Sequence, residues 1–197
     1  MSGSVAEERV RSKAEAALRE VWPEARIIHE LMLQQGGCRI DLAAVTPDRL
    51  IAVEIKSERD VLDRLKRQRE QALEVADGFA VVLAEKHWRK AWEEHHVSIL
   101  DAVKEDEAAA HFRREQRRVY ESTCNAPARL KMLWASELRW LAGSGAGATR
   151  GYSIRYASDS LTGAEVRRRV CAVLRARHFP RADPPIPLAV LPESLAA

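Results

Sequence analysis

Apolar positions along the chain begin at helical spacing, change to short β-prone runs, and return to helical spacing past residue 104. Val10, Ala14, Ala17, Leu18 and Val21 recur three or four apart and predict an amphipathic helix over residues 5–21. Ser4-Val5-Ala6-Glu7 is a capping box at its start, and Pro23 stops it. Three strands are expected next, over Arg26–Leu33, Cys38–Val45 and Leu50–Lys56, joined by turns at Gln34–Gly37 and Thr46–Arg49. The third is apolar on both faces, as a central strand is. A helix over 58–76, a buried strand at Phe79–Leu83, a helix over 86–94 and a last strand at Val97–Leu100 follow. Beyond them the pattern predicts charged or amphipathic helices over 104–121, 127–142 and Thr162–Arg177, with GSGAGATRG (143–151) as a linker or loop.

Hairpins make antiparallel pairs, and a strand–helix–strand crossover makes a parallel one, so the expected class is α/β with a mixed sheet. An α-β-β-β-α-β core over 1–102 would carry a C-terminal helical extension over 103–180 and a Pro-rich tail over 181–197.

Charge divides the chain. Residues 1–109 hold 17 Lys and Arg against 22 Asp and Glu, whereas 110–185 hold 15 against 6. A mildly acidic first half beside a basic second half suits a carboxylate site next to a polyanion-binding surface. The three cysteines are widely spaced, without zinc-type spacing, and fit a reducing compartment. No long apolar run or signal peptide is read, so a cytoplasmic protein without a membrane partner is expected. The six histidines show no metal spacing, and the five tryptophans read mostly as core.

The stretch HELMLQQGGCRIDLAAVTPDRLIAVEIKS (29–57) carries the chemistry. With the first turn centred between Gln35 and Gly36, Glu30 faces Asp41 across the hairpin. Glu54 and Lys56 share a face of the third strand, with Ile55 on the other. Carboxylates gathered in this way repel unless a cation joins them, and Mg²⁺ or Mn²⁺ prefers such oxygen ligands. Asp41 and Glu54, with Glu30 and the Ile55 carbonyl, are the expected metal ligands; Lys56 is the expected electrostatic stabiliser.

These residues resemble the core of the PD-(D/E)XK, or restriction-endonuclease-like, nuclease superfamily, with its Asp on the second strand and Glu/Asp-X-Lys on the third. More narrowly, IIHEL, CRIDLA, VEIKSERDVLDRLKRQ and FAVVLAEKHWRKA are similar to a family of small bacterial and phage-borne proteins with RID, EIKS and RLxRQ motifs. LKMLWASELRWLA (130–142) resembles that family's C-terminal helix. Ile40 stands where the superfamily has Pro, Lys66 where the family has Pro, and His95-His96 where it tends to have tryptophans. The resemblance implies a Mg²⁺-dependent deoxyribonuclease acting in repair, recombination or mobile-element DNA processing. Asp41, Glu54 and Lys56 would be catalytic, with Glu7 and Gln68 as accessories. Arg39, Arg64 and Arg67 would meet phosphate, and the Arg113, Arg114, Arg117, Arg118 stripe would grip a duplex backbone. A homodimer and a protein partner stay open. The rival expectation is a non-cleaving nucleic-acid-binding or partner-binding protein on the same fold.

Overall fold

The structure is a computed structural model that describes residues 5–33, 37–88, 101–117 and 125–187. Helix α1 (Val5–Val21) leads into strands β1 (Arg26–Met32), β2 (Arg39–Val45) and β3 (Leu50–Lys56). Helix α2 (Leu65–Leu73) crosses to β4 (Gly78–Leu83), and β5 (Ala102–Lys104) completes the sheet. Helices α3 (Ala108–Arg117), α4 (Ala126–Leu130), α5 (Ala135–Ala142), α6 (Arg150–Ser160) and α7 (Gly163–Ala176) follow. The strands lie in chain order, with β1–β2–β3 antiparallel and β3–β4–β5 parallel. The chain is thus α/β, with a five-stranded mixed sheet and C-terminal helices.

Alternation along the strands feeds two apolar layers. Ile27, Leu42, Ala44, Ile51, Val53, Val82 and Val103 pack with Val10, Ala14 and Leu18 of α1 and Phe112 of α3. Ile28, Ala43, Val45, Leu50, Ala52, Val81 and Leu83 face α2 and helices α4 to α7. That second cluster is continuous from β1 to Leu174, so the sheet and the C-terminal helices share one core. All seven residues of β3 are buried, as a central strand requires. Outside the sheet, Arg181–Asp183 lies antiparallel along the free edge of β1. His29 N donates to the Arg181 carbonyl at 2.8 Å and Asp183 N to the Ile27 carbonyl at 3.0 Å.

Several expectations change. The helix expected over 58–76 shrinks to α2, because Asp60 Oδ2 accepts from both the Ser57 N–H and the Ser57 hydroxyl, at 2.7 and 2.6 Å. Local side-chain bonds of this kind compete with helix. Residues 89–100 lie outside the described residues, and with them the strand expected at Val97–Leu100 and most of the helix over 86–94. The observed fifth strand is Ala102–Lys104, which straddles the boundary drawn between residues 102 and 103. The helix expected over 104–121 starts at Ala108, after a 3-10 turn, and is described to Arg117.

The helix expected over 127–142 is two helices. At the break, Arg150 donates to the carbonyls of Lys131 and Leu133, and Arg177 to that of Met132. Glu137 Oε2 then caps the new start by accepting from Trp134 N at 2.7 Å. The linker over 143–151 ends inside α6, whose N-cap Thr149 accepts from Tyr152 N. Trp22 is core, but Trp134 and Trp140 are exposed. In the Arg167–Arg169 run of α7, Arg167 turns inward to Asp77 and Arg169 donates to the Leu141 carbonyl.

Candidate active site at the ends of β2 and β3

The hairpin register agrees with the sequence expectation: Arg26 lies opposite Val45, His29 opposite Leu42 and Leu31 opposite Ile40. Between β2 and β3 the paired register ends at Leu42 and Val53. Just beyond it, Asp41 Oδ2 accepts from Ile55 N at 2.8 Å, so a side-chain carboxylate stands in for the next ladder bond. The two strands part there and leave a cleft lined by acids.

Glu54 and Lys56 project into that cleft from the same face of β3. Lys56 Nζ donates to Glu54 Oε1 at 2.7 Å, and Gln68 Nε2 of α2 donates to the same oxygen at 2.5 Å. Glu54 is 4% exposed and Lys56 8%. Glu54 Oε2 is buried with no hydrogen-bond partner, and so is Gln68 Oε1. Burial pushes the Glu54 carboxyl above the usual range, and the Asp41 charge adds to it. Asp41 is raised by burial too, opposed by the Ile55 N–H and by Arg11.

Arg11 belongs to the same cluster and was missed by the sequence reading. It is 5% exposed on the buried side of α1. Its guanidinium donates to the Asp41 carbonyl at 3.1 Å and to Glu7 Oε1 at 2.9 Å, and lies 3.5 Å from Asp41 Oδ1. The available signal was its spacing. Arg11 stands four residues after Glu7 and three before Ala14, so it falls inside the apolar stripe of α1.

These side chains line one cavity of about 510 Å³, whose walls include Glu7, Asp41, Glu54, Lys56 and Gln68, with Arg39, Arg64 and Arg67 at its basic side. Of the predicted site residues, all of these are brought together. Glu30 is not. Ile28 and Leu31 join the same apolar layer although three residues apart, as do Ile40 and Ala43, so the period-two alternation breaks between them. Glu30 sits in that break with a left-handed φ of 54° and pairs with Arg39 and Arg181. Opposite register therefore does not give a shared face here. The arginine stripe also lies elsewhere: α3 packs on the layer of α1, and Arg113 pairs with Glu20. Arg118 lies outside the described residues.

The donor set fits a hard divalent cation. Among the described residues no group of three His, Cys, Asp or Glu side chains forms a metal set. Two carboxylates with a neighbouring backbone carbonyl nevertheless match an ion that keeps several waters. The buried, partnerless Glu54 Oε2 is the oxygen that such an ion would satisfy.

The fold and cleft define an α/β protein with a buried carboxylate–lysine site at parting strand ends, carried on one core with C-terminal helices. A family model, bacteriophage P4 protein cII, matches residues 7–184, and the chain belongs to that family. No curated protein and no solved structure gave a match. No described helix is long and apolar enough to cross a membrane.

Proposed function

We propose that the protein is a metal-dependent DNA nuclease of PD-(D/E)XK type, hydrolysing phosphodiester bonds during phage or mobile-element DNA processing. The observation that carries the reading is the cleft itself. Asp41, Glu54 and Lys56 converge with Gln68 in one polar cavity, and a buried carboxylate oxygen there has no protein partner. Burial raises both carboxyls despite Arg11 and Lys56 nearby, and a bound cation would relieve what remains.

Asp41 and Glu54 would hold Mg²⁺ or Mn²⁺, with the Ile55 carbonyl beside them. The cation would polarise a phosphoryl oxygen and lower the pKa of a bound water. Lys56 neutralises charge that develops on the phosphate, from a position fixed by its bond to Glu54 Oε1. Gln68 donates to that same oxygen from α2, which leaves the buried Oε2 without a protein partner. Arg11 keeps Asp41 in line from behind through its backbone carbonyl. Arg39, Arg64 and Arg67 offer cationic contacts to a DNA backbone without reading its sequence.

The test is cleavage of supercoiled plasmid and of linear, single-stranded and branched DNA with Mg²⁺ or Mn²⁺. Lys56→Ala and Asp41→Ala serve as controls. Metal-dependent cutting that both substitutions abolish is the expected result. Folded wild-type protein that binds DNA without cutting it would replace this reading with a non-cleaving DNA-binding module.

A further inference from the structure

Four large aromatic side chains stay exposed among the described residues: Trp134 just before α5, Trp140 in it, and Tyr152 and Tyr156 in α6. Trp134 is 57% exposed, Trp140 45%, Tyr152 54% and Tyr156 45%. On α6 the fully buried residues are the small Ser153 and Ala157, which leaves Tyr152, Arg155 and Tyr156 together on the outer side. The two tyrosine rings lie nearly parallel, 16° apart with centroids 6.0 Å from each other. A groove of about 330 Å³ between α5 and α7 is lined by Ser136, Glu137, Trp140, Val173, Ala176 and Arg177. It combines an aliphatic floor, an indole wall and a few polar groups.

The charge around these rings identifies the class of partner. Residues 125–187 hold eleven Lys and Arg against four Asp and Glu. Arg129, Arg167, Arg177 and Arg181 are engaged with Asp77, Glu137 and Glu30, but Lys131, Arg155 and Arg168 are exposed. An apolar protein partner would use the rings and leave these three cations without a role. A duplex would use the cations and hide the flat faces of its bases. Single-stranded nucleic acid presents both a polyanionic backbone and open base faces, and proteins that bind it combine a basic surface with aromatic platforms.

We propose that the helical unit binds single-stranded nucleic acid, taking one unpaired base into the Trp140 groove and stacking others on the Tyr152–Tyr156 face. The inference rests on the nuclease reading only for the form of that enzyme's substrate; binding itself needs no cleavage. Labelled oligothymidylate, oligouridylate and a mixed-sequence duplex are titrated by fluorescence anisotropy in chelator, so that no strand is cut. Wild-type protein binds the single strands more tightly than the duplex. Trp140→Ala and the pair Tyr152→Ala,Tyr156→Ala each weaken single-strand binding by roughly 5- to 150-fold. The pair Tyr152→Phe,Tyr156→Phe keeps the rings and keeps the affinity. Whichever of the DNA and RNA oligomers binds more tightly names the natural strand. Unchanged affinity in the alanine variants, with folding verified by circular dichroism, overturns the proposal, and so does a preference for duplex. Ring-dependent binding by a wild-type protein that cuts nothing would sink the nuclease reading and leave this one standing.

Discussion

Strand β3 has a buried cluster of charge at each end, and the two clusters solve opposite problems. At its start, Asp77 Oδ2 accepts from Leu50 N at 2.8 Å, while Oδ1 faces Arg129 at 3.0 Å and Arg167 at 3.2 Å. Arg129 is fully buried, and this cluster fastens α4 and α7 to the sheet. At its end, Lys56 donates to Glu54 Oε1 at 2.7 Å, and both line an open cavity together with Asp41. Both clusters contain buried polar atoms without partners, Arg129 Nε and Nη1 in one and Glu54 Oε2 in the other. Burial of charge therefore does not mark a site. Two differences bear on it: the second cluster lines a cavity whereas Arg129 and Asp77 are buried, and it sets two carboxylates beside one lysine, which a small cation can complete. One acid between two arginines is already closed to any further ligand.

The comparison can be broken or sharpened in four ways. The largest effect belongs to the closed cluster. Arg129→Met leaves buried Asp77 short of a partner and should cost about 3–5 kcal/mol, lowering the thermal midpoint by roughly 10 °C. Lys56→Ala should cost cleavage a factor on the order of 10²–10³ while lowering stability less than Arg129→Met does, because Glu54 beside the cavity can take up a proton once its partner is gone. If Lys56→Ala melts the protein as Arg129→Met does, the two clusters are both structural and the distinction fails.

The third effect is a pH slope. Folding raises the carboxyls of Asp41 and Glu54, so the folded state holds protons more tightly than the unfolded chain. Their contribution is fully present below the ordinary carboxylate range and is lost as pH rises through that range to the raised folded values. Melting curves without divalent ions should display this fall. Mg²⁺ should reverse it by a few degrees at neutral pH, and Asp41→Asn,Glu54→Gln should remove both responses. The smallest effect is chemical. Burial pushes the Cys38 thiol up to about 11 and the Cys171 thiol up to about 12. Both should resist iodoacetamide at neutral pH in native protein and react once it is unfolded, as mass spectrometry of the alkylated peptides would record.

Legibility followed the range of the forces involved. The period-two runs located β1, β2 and β3 within a residue or so, and turn chemistry gave the register of the β1–β2 hairpin. Alternation alone put Glu54 and Lys56 on one face. What sequence did not disclose depended on contacts between distant segments. Asp77 carries no local pattern, because its partners Arg129 and Arg167 lie far along the chain. Helix α6 fully buries only Ser153 and Ala157, with Ile154 partly buried beside them, so little apolar periodicity announced it. Glu30 was misplaced because a single left-handed φ reverses the alternation that the hairpin argument assumed. Trp134 and Trp140 occupy helical spacing that suits a core, yet the break before α5 turns them outward.

Arg181–Asp183 has a consequence in time as well as in space. The Ile27 N–H is satisfied by the Asp183 carboxylate, 156 residues further along the chain. During synthesis at ~5–20 residues per second, the outer edge of β1 therefore waits roughly ten to thirty seconds for its cover. For that interval the nascent protein offers an open strand edge to any neighbouring chain. The crowding of unfinished chains on a messenger, and the pace at which they are completed, then weigh on the yield of folded protein alongside the stability of the finished molecule.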